Sequence, residues 1–135
     1  MRVILADHRK DLRSALRLLL EQQPEGWEVA GEAADIYELA ACLNTGCPDI
    51  LLLDWELPGL SADRWNPDPD RPSQMIARLR ALCPRLRIVA LSSQPEECIQ
   101  AQQAGVDEIV CKTEMPETLL KKMMPVFPSP ILPAK

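Results

Sequence analysis

Polar side chains with complementary chemistry follow the apolar runs that are predicted to form β-strands. Asp7 and His8 follow the first run, Asp54 the third, Ser92 the fourth and Lys112 the fifth. In an open parallel sheet the carboxyl ends of the strands meet at one edge, and that edge is where ligands bind. We therefore expect two carboxylates, a hydroxyl and an ammonium to converge there, with the imidazole of His8 beside them.

This set of groups suits phosphoryl transfer. The carboxylate of Asp54 can attack a phosphoryl group and become an acyl phosphate. A divalent cation held by Asp7 and Asp54 would neutralise charge on the incoming oxygens. Lys112 offers a positive charge to a phosphate, and Ser92 offers a hydrogen-bond donor. The sequence contains no glycine-rich loop of the P-loop or dinucleotide type, which argues against a bound nucleotide.

The elements that must position these groups alternate along the chain. Strands are predicted over 2–6, 27–31, 49–54, 87–91 and 106–111. The run 49–54 is continuously apolar between its two acids, which is typical of a central parallel strand covered on both faces. Alternating βα units predict a parallel sheet with helices on both faces, joined by right-handed crossovers.

The helices between the strands are indicated by apolar stripes and by their end signals. The stripe from Asp11 to Glu21 predicts the first helix, with Asp11 as its N-cap. Asp35 is expected to cap the second helix, and Met75 to Leu82 predict the third. The last two helices are predicted to open at Pro95, with Gly105 as C-cap, and at Pro116.

Length and charge narrow the class of protein. A chain of 135 residues fits one domain. The net charge of −5 and the scattered lysines and arginines argue against direct binding of nucleic acid. The sequence shows neither a signal peptide nor an apolar run long enough to cross a membrane. We therefore expect a cytoplasmic domain that does not bind membranes.

The five cysteines are Cys42, Cys47, Cys83, Cys98 and Cys111. None of them forms a C-x-x-C pair, and most lie beside apolar residues. They are therefore predicted to be reduced, buried thiols. Cys42 and Cys47 are too loosely spaced for a zinc knuckle, and the only histidine lies far away in sequence.

Taken together, these segments resemble the receiver domain of two-component response regulators, from about Arg2 to Met124. The resemblance rests on an ordered set of segments: Val-Ile-Leu-Ala-Asp7, Pro48-Asp49 to Asp54, Leu57-Pro58-Gly59, Ile88 to Ser92, Ala104-Gly105-Val106-Asp107 and Cys111-Lys112 before Pro116-Glu117. The first half is most similar to receivers that precede a helix-turn-helix DNA-binding domain. The remaining residues form a proline-rich tail or linker, which gives a receiver domain over 1–124 and a tail over 125–135.

The resemblance implies a flavodoxin-like, doubly wound (βα)5 sandwich with a five-stranded parallel sheet. It implies a histidine kinase or phosphotransfer protein that donates a phosphoryl group to Asp54, with Ser92 and Lys112 binding the phosphate. The Mg²⁺ ion of the family would be held by Asp7, by Asp54 and by the backbone carbonyl of Glu56. The resemblance further implies a downstream effector domain or protein, and it leaves homodimerisation open.

Three features depart from the family pattern. His8 occupies the place of the family's second acid, which is commonly the direct metal ligand, and imidazole is a poor ligand for Mg²⁺. Asp11 could substitute for that acid. Ile109 stands where the family has its switch aromatic, three residues before the lysine. The segment Ser61–Pro72 is longer than the family's connection. It is predicted to be a solvated insertion, with Trp65 as an anchor or a partner contact.

Three functions remain open from the sequence. The first is a phosphorylatable receiver that acts as a switch, with at most self-phosphorylation and dephosphorylation of its own Asp54. The second is a degenerate receiver that works only as an interaction module, which His8 and Ile109 favour. The third is a small metal-dependent phosphohydrolase that uses Asp54, although the sequence offers no substrate-binding cap. Fold analogy alone does not choose among them.

Overall fold

The computed structural model describes residues 1–24, 26–60 and 70–123. Within these ranges five parallel strands form one sheet. The strands are β1 (Arg2–Ala6), β2 (Glu28–Ala33), β3 (Ile50–Asp54), β4 (Arg87–Ser92) and β5 (Glu108–Cys111). Their order in the sheet is β2-β1-β3-β4-β5, and every neighbouring pair is parallel. The predicted flavodoxin-like α/β fold is therefore confirmed.

Among the described residues, four α-helices connect the strands, and a short 3-10 helix and a fifth α-helix follow β5. The α-helices are α1 (Lys10–Glu21), α2 (Ile36–Asn44), α3 (Arg71–Leu82), α4 (Pro95–Ala104) and α5 (Glu117–Met123), and the 3-10 helix is Lys112–Glu114. Helix α3 begins at Arg71, so the last two residues of the predicted insertion belong to a helix. Two predictions lie outside the described residues. They are the insertion over 61–69, which includes Trp65, and the proline-rich tail. Met124, where the resemblance ends, also lies outside them.

The apolar character of β3 is explained by burial on both of its faces. Leu51 and Leu53 pack into one core cluster together with residues of α2, α3 and α4. Ile50 and Leu52 pack into the other cluster together with residues of α1 and α5. Burying one such side chain stabilises the fold by about 1.5–3 kcal/mol. The sheet therefore has a helical layer on each face, and β3 lies at its centre.

Two helix ends follow the predictions. The Asp35 carboxylate accepts a hydrogen bond of 2.8 Å from the backbone N–H of Glu38, which makes Asp35 the N-cap of α2. Gly105 ends α4 in the left-handed conformation, with a φ of 97° that glycine adopts without a Cβ clash. These local signals depend only on neighbouring residues, which is why the sequence shows them.

Several predicted boundaries are wrong, among them the start of α3, which is Arg71 and not Met75. Helix α1 begins at Lys10, so Asp11 lies in its first turn and is not the N-cap, and the carboxylate of Asp11 pairs with Arg9 at 2.9 Å instead. Strand β2 runs on to Ala33 because its partner β1 continues alongside it to Ala6. Strand β5 starts later than predicted, since the Asp107 carboxylate accepts the N–H of Ile88 and so belongs to the turn before the strand.

The loop after β3 is held against α2 by Gly59. This residue has a φ of 91°, and a Cβ at this position would collide with the side chain of Ile36. The backbone N–H of Ile36 donates to the Pro58 carbonyl at 3.0 Å, and Arg71 Nε donates to the Gly59 carbonyl at 3.1 Å. The Leu57-Pro58-Gly59 segment therefore fixes the path of the chain as it leaves Asp54.

The prediction that the cysteines are reduced is wrong for two of them, and the prediction that they are buried is wrong for the three free ones. Cys47 and Cys83 form a disulfide with a Cα–Cα distance of 5.7 Å, whereas Cys42, Cys98 and Cys111 are free and partly exposed. The pair was missed because the two residues lie 36 positions apart and meet only through the pairing of β3 with β4. None of the described helices is long and apolar enough to span a bilayer.

Glu32 ties β2 to α1 through two arginines, and this gives a pH-dependent contribution to stability. Its carboxylate accepts hydrogen bonds from Arg13 Nε at 3.0 Å and Arg17 Nε at 2.8 Å. Burial alone would raise the pKa of Glu32, but the two arginines outweigh that effect and lower it below 4.5. The stabilisation is therefore complete above the unfolded-state pKa and is lost as the pH falls through the folded-state value.

We expect Glu32→Gln to lower the free energy of unfolding by about 1 kcal/mol at pH 7, since two charge-assisted hydrogen bonds are weakened. The difference from the wild type should shrink as the pH falls below 4.5, the ordinary value for this carboxyl. Urea unfolding at several pH values measures this difference, with the exposed Glu28→Gln as control. A difference that does not depend on pH would contradict the prediction.

Candidate functional site

Asp54 lies at the carboxyl end of the central strand with both of its carboxylate oxygens engaged. The side chain is fully buried. Oδ1 accepts hydrogen bonds from the Glu56 N–H at 3.0 Å and from Lys112 Nζ at 3.1 Å. Oδ2 lies 2.6 Å from His8 Nδ1 and 3.4 Å from the His8 N–H. The strand ends at Asp54 because the chain turns there, and Leu57 N–H donates back to the Asp54 carbonyl at 3.0 Å.

Asp7 presents a second buried carboxylate beside Asp54. The end of β1 is fixed by the Asp7 N–H, which donates to the Ala33 carbonyl, and by Arg13, which donates to the Asp7 carbonyl. Asp7 Oδ1 accepts the Arg9 N–H at 2.8 Å. Oδ2 is buried and accepts no hydrogen bond, and Lys112 Nζ lies 3.3 Å from it. This oxygen is therefore ion-paired with Lys112, and a metal cation bound there would have to share it with the ammonium or displace the ammonium.

Lys112 places its ammonium between the two carboxylates. It follows β5 directly as the first residue of the 3-10 helix, and its side chain is 14% exposed. Burial alone would lower the pKa of Lys112, but the charges of Asp54 and Asp7 outweigh burial and raise the pKa above its ordinary value. The prediction that the ammonium lies near Asp54 and Asp7 without bound phosphate is confirmed.

The charge state of Asp54 follows from these contacts. Burial alone would raise the pKa of Asp54. The hydrogen bonds from the Glu56 N–H and His8, with the charge of Lys112, outweigh burial and lower the pKa below its ordinary value. Asp54 is therefore an ionised carboxylate near neutral pH, which is the form that can act as a nucleophile.

His8 contacts the nucleophilic carboxylate directly. A carboxylate only accepts hydrogen bonds, so the proton of this 2.6 Å contact is carried by His8 Nδ1. Nδ1 also lies 3.7 Å from Asp7 Oδ1, and the side chain is 40% exposed. Asp7, His8 and Asp54 offer one ligand atom each within 4.8 Å of one another.

The donor set fits Mg²⁺ only in part. The two buried carboxylates of Asp7 and Asp54 provide the hard oxygen ligands that Mg²⁺ requires. The nitrogen of His8 is suited to softer metals, and in this arrangement it occupies Asp54 Oδ2. Metal binding through Asp54 Oδ2 would therefore have to displace the imidazole.

Ser92 reaches the same edge of the sheet, but its hydroxyl is directed elsewhere. Strand β4 places Ser92 one residue beyond Leu91, which pairs with Asp54. Ser92 Oγ lies 2.7 Å from the Gln94 carbonyl and 3.1 Å from Glu97 Oε1. Among the described residues its hydrogen bonds are therefore with the start of α4. Asp7, His8, Asp54 and Lys112 come together, while Ser92 lies adjacent and turned away.

Ile109 lies outside the site, whereas the backbone of Glu56 contacts Asp54. Ile109 packs as a partly buried side chain against the core cluster of α2, α3 and α4. The backbone N–H of Glu56 is directed at Asp54. The role of the Glu56 carbonyl as a metal ligand stays a prediction.

The sequence did not predict Glu97 and Gln100, which form hydrogen bonds with Ser92 and Trp55 next to Asp54. Glu97 accepts from both the Ser92 hydroxyl and the Ser93 N–H, and its place two residues after Pro95, in the first turn of α4, was an available signal. Trp55 is buried and donates from its indole nitrogen to Gln100 in α4 at 3.3 Å. No local pattern marks this contact, because its two residues lie 45 positions apart.

The chain is similar to bacterial response regulators in sequence. It is 30% identical to the virulence transcription regulator BvgA of Bordetella pertussis over 118 residues, which cover 84% of this chain and 49% of BvgA. It is 28% identical to the chemotaxis protein CheY of Pseudomonas aeruginosa over 127 residues, which cover 94% of this chain and 96% of CheY. The chain thus spans about half of BvgA and nearly all of CheY.

Solved structures show the same relationship. The isolated REC domain of RcsB from Salmonella enterica serovar Typhimurium matches with a TM-score of 0.72 and 25% identity, covering 92% of this chain and 86% of that domain. A LuxR-family response regulator from Aurantimonas sp. SI85-9A1 matches with a TM-score of 0.73 and 25% identity, covering 93% and 83%. The family model of the response regulator receiver domain matches residues 3–124. This chain therefore belongs to the response regulator receiver domain family.

Proposed function

We propose that this receiver accepts a phosphoryl group on Asp54 from the phosphohistidine of a histidine kinase or of a phosphotransfer protein. The observation that carries the proposal is the buried Asp54 carboxylate with the Lys112 ammonium 3.1 Å from it. The domain acts as a switch, and the only reactions assigned to it are phosphorylation and dephosphorylation of its own Asp54.

The residues around Asp54 each have a task in this transfer. A carboxylate oxygen forms the new bond to phosphorus, the P–N bond of the donor phosphohistidine breaks, and the departing imidazole takes up a proton. The ammonium of Lys112, now paired with two carboxylates, is placed to pair with the phosphoryl oxygens as their charge arrives. The Ser92 hydroxyl would leave Gln94 and Glu97 to donate to the phosphoryl group.

The family's Mg²⁺ would be held by Asp7, Asp54 and the Glu56 carbonyl, with weak affinity. When bound, a divalent cation neutralises charge on the transferred oxygens. The weakness follows from His8, which already donates to Asp54 and adds no carboxylate oxygen.

We expect His8→Asp to bind Mg²⁺ roughly tenfold more tightly or better, because a third carboxylate restores oxygen ligation and frees Asp54 Oδ2. Titration of Mg²⁺ against tryptophan fluorescence measures the affinity, since Trp55 follows Asp54 in the chain and is buried. Ser14→Asp, which adds one negative charge on the exposed surface of α1, is the matched control. Equal affinities of wild type and His8→Asp would show that His8 is not at the metal.

The proposed function is tested by labelling with a small phosphoryl donor. The protein is incubated with phosphoramidate or acetyl phosphate and Mg²⁺ or Mn²⁺, and its intact mass is measured. We expect the gain of one phosphoryl group that is stable in acid and lost in base or hydroxylamine, as an acyl phosphate is. A wild-type protein that gains no such mass with either metal would contradict the proposal.

A phosphorylation-independent interaction module is the second candidate, and His8 is the observation that favours it. Its Nδ1 lies on Asp54 Oδ2 at 2.6 Å, so the imidazole takes a place next to the nucleophile that a metal would need. The labelling experiment separates this candidate from the first. A phosphohydrolase is the weakest of the three, and hydrolysis of p-nitrophenyl phosphate that Asp54→Ala abolishes would revive it.

The partners of the domain follow from the same proposal. BvgA and RcsB are described as a transcription regulator and as a protein bound to promoter DNA. This chain covers about half of each, 49% of BvgA and 59% of that RcsB chain. We propose that the domain controls an effector domain or protein, that it does not itself contact nucleic acid or membrane, and that it works in the cytoplasm.

A further inference from the structure

The disulfide lies at the edge of the sheet opposite Asp54. Cys47 precedes β3 and Cys83 follows α3, four residues before β4 begins. The bond therefore joins the amino ends of the two paired strands whose carboxyl ends present Asp54 and Ser92. The covalent loop that it closes contains residues 48–82, which include Asp54.

The backbone on both sides of the bond is fixed by hydrogen bonds of its own. Ile50 pairs with Arg87, and the Arg87 N–H donates to the Asp49 carbonyl at 3.1 Å. The Cys83 N–H donates to the Leu79 carbonyl at 2.9 Å, and the Leu86 N–H donates to the Cys83 carbonyl at 3.0 Å. The two sulfurs would therefore stay next to each other if the bond were broken, which favours its re-formation.

The surroundings of both cysteines also accommodate the reduced thiols. Cys47 Sγ lies 3.4 Å from the Leu82 carbonyl oxygen, so the freed Cys47 thiol has a hydrogen-bond acceptor in place. Cys83 is 2% exposed and belongs to the apolar core cluster, where a neutral thiol is well accommodated. Both redox forms are thus compatible with the same fold.

One cysteine of the pair is exposed, and both line the same surface cavity. Cys47 is an exposed residue, in contrast to Cys83. A surface cavity of about 280 Å³ opens at the bond, and its walls include Pro48, Pro84 and Arg85. Exposed disulfides are the ones that thiols attack readily, whereas buried structural disulfides resist reduction.

We propose that Cys47 and Cys83 form a reversible thiol–disulfide site whose redox partner is a thiol or dithiol that attacks Cys47. In the reductive direction the partner's thiolate attacks Cys47 Sγ, a mixed disulfide forms at Cys47, and Cys83 leaves as a thiolate that takes up a proton. A second thiolate of the partner then attacks the partner's sulfur in the mixed disulfide, and Cys47 leaves as a thiolate that takes up a proton. The partner dithiol is oxidised to a disulfide, and two electrons reduce the two protein sulfurs.

The redox state should change the stability of the segment that contains Asp54. A crosslink between residues 36 positions apart restricts the unfolded chain, and the restriction grows with loop length. We expect the oxidised protein to melt roughly 10 °C above the reduced protein. Cys47→Ser should melt at the temperature of the reduced protein, with no response to reductant.

The test is a count of free thiols by alkylation and intact mass in unfolding buffer. Without reductant we expect three labels, on Cys42, Cys98 and Cys111, and after dithiothreitol we expect all five cysteines to be labelled. Equilibration with glutathione at varied ratios of reduced to oxidised form should move the protein between these two states in both directions. Five labels without reductant, or three labels that persist in folded protein after dithiothreitol, would overturn the proposal.

A second arm tests which sulfur is attacked. With oxidised glutathione, Cys83→Ala should trap one glutathione on Cys47, whereas Cys47→Ala should trap far less on the buried Cys83. Peptide mapping places the adduct, and circular dichroism shows that both variants are folded. Equal trapping in the two folded variants would overturn the assignment of Cys47. The outcome is independent of Asp54, so this proposal and the phosphoryl-transfer proposal can fail separately.

Discussion

Asp54→Ala should acquire no phosphoryl group from phosphoramidate while keeping the fold. The Asp54 carboxylate is the protein group that forms the new bond to phosphorus. Its removal should therefore reduce labelling from the wild-type level to background. The isosteric Asp54→Asn should behave in the same way, because an amide oxygen does not form an acyl phosphate. Intact mass after incubation measures the adduct, and circular dichroism measures the fold.

Asp11→Ala is the matched control for this loss. Asp11 lies four residues after Asp7, but its carboxylate is exposed and pairs with Arg9 instead of entering the site. The hydrogen bond from Arg9 lowers the pKa of Asp11. We expect labelling of Asp11→Ala at the wild-type level. Labelling that persists in both Asp54 variants would remove Asp54 as the acceptor.

Lys112→Met should destabilise the domain by about 3 kcal/mol, because it leaves the buried carboxylates of Asp7 and Asp54 together without the ammonium that lies between them. Asp54→Asn should cost less, since Lys112 keeps Asp7 as its partner at 3.3 Å. In the double variant only one of the two carboxylates remains. The double variant should therefore cost less than the sum of the single variants.

A double-mutant cycle on Asp54 and Lys112 measures this coupling by urea unfolding, and we expect about 2 kcal/mol. A parallel cycle on Asp11 and Lys112 is the control, because the exposed Asp11 pairs with Arg9 outside the site. A coupling near zero for Asp54 and Lys112 would show that their contact contributes nothing to the folded state, and it would weaken the proposed mechanism.

The sequence predicted the fold and most of the candidate site for a clear physical reason. A parallel strand buried on both faces must be continuously apolar, so the run before Asp54 identifies both the strand and its end. The strand order then brings Asp7, Asp54 and Lys112 to one edge, which the distances between them confirm. The apolar run is a local signal, and the parallel topology determines which strand ends lie next to each other.

Side-chain contacts could not be predicted in the same way. The two cysteines lie in loops 36 positions apart, and the indole of Trp55 donates to Gln100 in α4, 45 positions away. The hydroxyl of Ser92 could face either Asp54 or α4, and its choice of Gln94 and Glu97 depends on side-chain geometry alone. The sequence shows that His8 departs from the family pattern. It does not show that the imidazole contacts Asp54, because that depends on the side-chain conformation.

The position of the phosphoryl group is the most direct test of the proposed function. The labelled protein is reduced with borohydride, which converts an aspartyl phosphate to homoserine, and its peptides are then sequenced by mass spectrometry. We predict homoserine at position 54 and aspartate retained at positions 7, 11 and 49. Homoserine at any of those three positions with an unchanged Asp54, or label recovered only on serine or histidine, would contradict the assignment of Asp54 as the phosphoacceptor.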